Sequence, residues 1–418
     1  MLVVSLSVLG CANPPTKQLV LWHALEGRQA RALEQLVDRW NAQAWQHGAV
    51  IVVERHAPAQ LEARFRLANG ADAESAPLPD LALLPAHLAA LSFERGLLHD
   101  LGPLIDSADV EVGWNLDERS QLFPFMLSAG RDQRGALIGV PHGGVLRLLL
   151  VNLRAFVGDA APSELVIGDW PALQRTCTSA FERGVAACIS ARLDGTLVEE
   201  WLIAHGALAF DAASGQVLLE TPAARTALED LAQSVNEGIV VGAFSPQQQF
   251  ADFAEGRHAA MLIWSSDVQA ALSTARLQAA IPLAVQPLPG LSRPTVQYRA
   301  PLWVAPRAPR EQVRLAWLFI RWLTKPEQTQ FWHQQTGELP ARLVDVRDDA
   351  AVSPALRQQT LLQLARLAQP EPLHPNRPCA QAIFGEVAQR LLDRQPVTTT
   401  LEAVQAKAKR FGPCVPPR

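Results

Sequence analysis

Leu19-Val20-Leu21-Trp22, a helical run from Glu26 to about Ala44, and then Val50-Ile51-Val52-Val53 are the stretch that decides the fold class. Within the run, Leu33, Leu36, Val37 and Trp40 recur at the three- and four-residue spacing that places them on one helix face. A short buried strand thus feeds an amphipathic helix, and a second buried strand follows it. The pattern repeats: Leu61 to Leu67 is predicted helical, and Pro79-Asp80 leads into a third apolar strand, Leu81-Ala82-Leu83-Leu84. Strands alternating with helices predict an α/β fold with a parallel sheet flanked by helices. The small and acidic residues between Asn69 and Pro79 read as a surface loop.

Further along, ALIGVPHGGVLRLLLVNLRAF from Ala136 reads as two apolar strands joined through Pro141-His142-Gly143-Gly144. Trp170-Pro171-Ala172-Leu173 starts a helix with proline near its first turn, where the missing N–H is harmless. Val198 to His205 and Ala223 to Val235 are helical by period, and Ala259 to Trp264 is a buried strand. A Pro- and Gly-rich segment, Leu283 to Pro294, separates this region from another strand, Pro301 to Ala305, and two helices, Gln312 to Leu323 and Pro326 to Gln335. Leu361 to Leu367 and Glu386 to Leu392 are the clearest amphipathic segments of a helical C-terminal part.

At 418 residues the chain is long enough for two domains, each with its own core. A net charge of -4, with Lys and Arg scattered along the chain, leaves no basic stripe for nucleic acid or anionic lipid. No GxSxG elbow, Walker A loop, GxGxxG after a strand or HExxH helix occurs, and the histidines lack metal-ligand spacing. The reading from motifs is therefore that the chain is not an enzyme, with no metal and no cofactor. Glu338 with Asp194 is the one carboxylate pair that could be nominated for glycoside chemistry.

The N-terminal MLVVSLSVLGC is apolar and ends in Val8-Leu9-Gly10-Cys11, which resembles the lipobox at which bacterial lipoprotein signals are cut. On that reading residues 1–15 are signal and tether, Cys11 carries the lipid, and the protein is periplasmic and membrane-anchored; the alternative is an N-terminal strand with an incidental cysteine. The run is too short for a spanning helix. Cys177, Cys188, Cys379 and Cys414 then remain, with no CxxC. Disulfides suit an oxidising compartment, and the spacing favours Cys177 with Cys188 and Cys379 with Cys414, although four cysteines allow three pairings and free buried thiols are the other reading.

Four segments carry a family resemblance: Leu21-Trp22-His23-Ala24-Leu25-Glu26-Gly27; Gly139-Val140-Pro141 through Val151-Asn152; Gly256 to Met261 with Ser265-Ser266; and Phe331 to Pro340. Together they resemble the extracellular solute-binding proteins of ABC importers, in the carbohydrate and glycerol-phosphate branch, the glycerol-3-phosphate-binding component most of all. The resemblance implies a two-lobed periplasmic-binding-protein fold of type II, each lobe a sheet flanked by helices, joined by hinge strands. Lobe 1 would comprise residues 16–143 and 294–336, and lobe 2 residues 144–293 and 337–418. It implies a monomer that closes over glycerol-3-phosphate, a glycerophosphodiester or a related sugar and delivers it to permease subunits driven by a cytoplasmic ATPase. A neutral disaccharide or glucosyl-polyol is the alternative solute.

The same resemblance nominates ligand residues. Ser265 and Ser266 stand where the family's pocket serines lie, just after a buried strand, though either could instead cap the helix that follows. Trp264 ends that strand and could stack on a solute. Where the family places an aromatic ligand residue this chain has Glu338, which would repel phosphate and attract hydroxyls or an ammonium. The family's glycine pair before the Leu-Trp-Val strand is replaced by Tyr298-Arg299, and Arg192 and Arg377 fall near family pocket positions. Arginine grips phosphate or carboxylate bidentately, so two in one cleft would favour an anion. His56 to Ala59 and Pro85-Ala86-His87 hold neither the aromatic nor the acidic residue expected there. Trp22, His23 and Glu26 are expected to build the cleft wall, and Trp303, Trp317, Trp322 and Trp332 to pack in the core.

Overall fold

The computed structural model describes residues 17–68, 77–158, 167–243, 245–273, 283–290, 297–342, 364 and 367–411. Along these residues the strands are β1 (Lys17–His23), β2 (Ala49–Arg55), β3 (Leu81–Leu84), β4 (Gly143–Asn152), β5 (Ala187–Ala191), β6 (Phe210–Asp211), β7 (Gln216–Val217), β8 (Val240–Gly242), β9 (His258–Trp264), β10 (Leu283–Gln286), β11 (Gln297–Arg299), β12 (Leu302–Val304), β13 (Leu339–Pro340) and β14 (Gln369–Pro370). They form two principal sheets, each flanked by helices, and so two lobes.

The first sheet has the order β12-β3-β1-β2. β1 runs parallel to β2, with Leu19 opposite Ile51, and parallel to β3. The helix Gly27–Asn41 follows β1 and buries Leu33, Leu36, Val37 and Trp40 against the sheet, the face its periodicity predicts. Trp40 packs edge-on to Phe319 at 5.2 Å and to Trp322 at 5.6 Å, both on the helix Arg310–Leu323. Trp303, Trp317, Trp322 and Trp332 are all buried, as expected for core packing.

The second sheet has the order β14-β11-β4-β9-β5-β8, with β10 and β13 also paired to β4. β5 runs parallel to β8 and β9, whereas β4 is antiparallel to β9, β10, β11 and β13. The expectation of parallel sheets therefore holds only in part. The chain leaves the second sheet on β11, enters the first on β12, which lies antiparallel to β3, and returns to the second on β13. The expected strand at 136–140 is also absent: Leu137 and Val140 make only isolated bridges, to Arg131 and Trp303. Its apolar run reflects burial at the junction between lobes and not a sheet.

Three crossings lie side by side. Val140 bridges Trp303, Gly143 pairs with Pro340, and Val145 pairs with Arg299. Glycine is required at two of these positions by close approach. A Cβ on Gly143 would stand 2.7 Å from the Trp332 ring, and one on Gly144 would stand 2.6 Å from the Tyr298 ring.

Cys177 and Cys188 are joined, tying the helix Trp170–Glu182 to β5 within the second core. Closing that short loop is worth about 3 kcal/mol in the chain-entropy account. Cys379 is also disulfide-bonded; Cys414, its expected partner, lies outside the described residues, as do Cys11 and most of Leu361–Leu367. Among the described residues no helix is long and apolar enough to cross a membrane.

Candidate functional site

A cavity of about 360 Å³ opens where the crossings meet. From the first lobe it is walled by Gln29, in the opening turn of the helix after β1, and by Pro85, Ala86 and His87, at the end of β3. That is the carboxyl edge of the strands, where open α/β sheets place their crevices. Gly144, Val145, Arg299, Ala300 and Pro301 come from the crossing strands, and Glu338, Glu371 and Arg377 complete the wall.

The polar groups are organised by Glu199, which is 1% exposed on the helix Gly195–Ala204. Arg377, opening the helix Arg377–Leu392, donates to both its oxygens at 2.8 and 2.7 Å. Arg377 also donates to Glu371 Oε1 from Nε at 3.0 Å and from Nη2 at 2.7 Å. Arg299 donates to Glu199 Oε2 at 3.3 Å and to Thr196 Oγ1 at 3.0 Å, and its Nε lies 3.7 Å from Glu371 Oε2. Two guanidinium groups and two carboxylates thus alternate in a ring. Burial alone would push the Glu371 carboxyl up, but Arg299 and Arg377 outweigh it and hold it below the usual range. Burial would likewise lower Arg377, and its hydrogen bonds and charge contacts with Glu199 and Glu371 keep it above its ordinary value.

Glu338 sits on the other side of the cavity. It accepts from Trp332 Nε1 at 2.8 Å and from the Gln29 amide, so it links the first-lobe helix to the crossing. Burial raises its pKa, and those two donors offset the rise only partly. Burial lowers the pKa of His87, outweighing the pull of Glu62 and Glu371, and its buried Nε2 has no hydrogen-bond partner among the described residues. Beneath the site His142, wholly buried with its pKa lowered to about 3, accepts from Trp303 Nε1 at 2.6 Å.

Of the sequence-nominated residues, the structure brings Arg299, Glu338 and Arg377 together in the cavity wall. Tyr298 is 1% exposed and points to the opposite side, its ring 4.2 Å from Phe125 and its hydroxyl donating to Met126 Sδ at 3.3 Å. Neighbouring strand residues face opposite ways, so Tyr298 and Arg299 could not both reach the cavity. Ser265 is buried and its Oγ accepts from the Leu146 N–H at 3.1 Å. Ser266, Trp264 and Arg192 lie outside this wall; Trp264 carries the guanidinium groups of Arg147 and Arg299 at 5.1 and 5.6 Å, and Arg192 is 60% exposed. Trp22 and His23 are buried and do not line the cavity, Trp22 donating to Glu54 at 2.8 Å and His23 accepting from the Leu25 N–H at 3.0 Å.

Sequence reasoning missed Gln29, Glu199 and Glu371 and set His87 aside. Glu199 did carry a signal: Glu199-Glu200 interrupts the apolar run Leu197-Val198 and Trp201-Leu202 in a helix, a place where carboxylates need partners. Glu371, between two prolines, carried none.

The family described as bacterial extracellular solute-binding protein matches residues 35–356, and the chain belongs to it. The protein is accordingly an extracellular or periplasmic solute-binding protein and not an enzyme. Its fold is that of a cyclic alpha-maltosyl-1,6-maltose binding protein from Arthrobacter globiformis, at 17% identity and a TM-score of 0.74 over 94% of this chain and 98% of that one. It is also that of the sugar-binding protein MalE from Xanthomonas citri, at 15% identity and a TM-score of 0.78 over 94% and 97%. A maltose-bound MalE3 from T. maritima aligns at 16% identity and a TM-score of 0.70 over 95% and 100%. No curated protein matches the chain in sequence.

Proposed function

We propose that this chain captures an uncharged sugar of mono- to disaccharide size in the cavity between its lobes and delivers it to an ABC importer. The carrying observation is the charge balance at the wall: Arg299 and Arg377 are matched by Glu371 beside them and by the buried Glu199 they bond outside the lining, and Gln29, His87 and Glu338 add groups suited to hydroxyls. The structural neighbours named for maltose and related sugars support the same class. A volume of about 360 Å³ lies near the small end of the range for ligand sites, which favours a short sugar. Glycerol-3-phosphate fits less well, because neither arginine presents an unopposed charge. The lobes, residues 16–143 with 294–336 and 144–293 with 337–418, close as rigid bodies about the three crossings. The mature protein acts as a monomer tethered by lipid on Cys11, and closure is what the permease recognises.

The test is a thermal-shift screen of the protein from residue 12 onward against maltose, trehalose, sucrose, glucosylglycerol and glycerol-3-phosphate. A ligand at 100 times its dissociation constant stabilises by about 2.7 kcal/mol, which is readily seen. A shift with one or more neutral sugars is expected. A shift with glycerol-3-phosphate alone would refute the reading.

A further inference from the structure

We infer that Glu199 and Glu371 are the selectivity residues of the cleft: by occupying the anion-gripping faces of Arg299 and Arg377 they close it to phosphorylated and carboxylated solutes. The inference rests on the interlobe cavity being the solute site, and it adds which class of solute that site rejects and which side chains reject it.

Guanidinium is the side chain best shaped to grip a phosphate or carboxylate, since its donors form a planar fork. At Arg377 that fork is already filled. Four hydrogen bonds, at 2.7 to 3.0 Å, run to the oxygens of Glu199 and Glu371. The Arg377 side chain is 4% exposed, so it cannot turn to a newcomer without leaving both carboxylates. Arg299 is 20% exposed and is drawn to the same pair. Glu199 is itself locked, because Gln381 donates to its Oε2 at 2.6 Å in addition to both arginines. Two positive and two negative groups cancel, and Glu338 adds a third carboxyl to the wall. An arriving anion therefore meets no net positive charge and would have to displace a buried carboxylate. A hydroxyl needs no such displacement, since it can accept from an amide or imidazole and donate to a carboxylate oxygen.

Glu371 is the accessible member of the pair, and Glu371→Gln keeps its shape while freeing guanidinium donors. The probes are inorganic phosphate and glycerol-3-phosphate at millimolar concentration, read by thermal shift and by calorimetry. The wild type is expected to bind neither measurably, and Glu371→Gln to bind at least about tenfold tighter than wild type, the size expected for new hydrogen bonds to a charged group. Adding Arg299→Gln to Glu371→Gln should remove part of that gain. If Glu371→Gln melts too low to study, Glu199→Gln makes the same test from the other carboxylate. Phosphate binding that is equal in wild type and variant, or absent from both, overturns the inference. A gain of phosphate binding together with no response to any sugar would instead sink the sugar reading while leaving the charge lock standing.

Discussion

Replacing Glu200 with glutamine should make the stability of the protein less sensitive to a rise in pH from acid to neutral. Glu200 is 2% exposed, and neither carboxyl oxygen has a hydrogen-bond partner among the described residues. Its nearest ion-pair neighbour, Arg147 Nε, stands 3.7 Å away. Burial raises its pKa from 4.5 to about 7 against the opposing pull of Arg147 and Arg299. One pKa unit corresponds to about 1.4 kcal/mol, so ionising this group in the folded state costs about 3 kcal/mol relative to the unfolded chain. The sign follows from proton binding. Between 4.5 and about 7 the folded protein holds the proton and the unfolded chain releases it, so stability is full below that window and falls as pH rises through it. Glutamine cannot ionise and escapes this loss. Any cost of burying its amide is the same at every pH. Urea unfolding of wild type and Glu200→Gln at about pH 5 and pH 8 isolates the effect, because all other titrating groups are common to both. The stability of the variant relative to wild type should improve by about 2–3 kcal/mol between the two conditions. A difference that stays constant with pH would refute the reasoning.

Gly143→Ala should destabilise by about 1–3 kcal/mol through overpacking, since its new methyl would press on the Trp332 ring at 2.7 Å and on Glu338 Oε2 at 3.0 Å; a change below about 0.5 kcal/mol, within the range of ordinary surface substitutions, would show the crossing to be loosely packed. Cys11→Ser should move the exported protein from the membrane to the soluble periplasmic fraction, and an unchanged distribution would rule out the lipid anchor.

The layered α/β architecture was legible because its signals are local. Leu19 to Trp22, Val50 to Val53 and Ala259 to Trp264 are apolar runs of strand length, and Leu33, Leu36, Val37 and Trp40 mark a helix face within a single stretch. The Cys177–Cys188 bond was legible for the same reason, being an 11-residue loop. Strand direction was not, because β12 meets β3 antiparallel only after the chain has built part of the other lobe and returned. The site was least legible. Arg377 and Glu199 are 178 residues apart, and no spacing rule links a charge on one helix to its counter-charge on another. The resemblance suggested that Arg192 and Arg377 would grip an anion; what sequence could not show is that Arg192 lies outside the wall and that the protein itself supplies the anions for Arg377. Tyr298 illustrates the remaining gap, since its neighbour Arg299 lines the cavity and one step along the strand reverses the face.

The side-by-side crossings also bear on how the chain acquires its shape. The first sheet lacks its β12 edge until residues 302–304 are in place, and Trp40 lacks its aromatic partners until Phe319 and Trp322 arrive. β4 in turn awaits β11 and β13. Neither lobe can finish from a contiguous stretch of polypeptide, and long-range closure of this kind is intrinsically slow. In a protein of this extracellular family both lobes therefore lack a strand until residues 302–340 have been made.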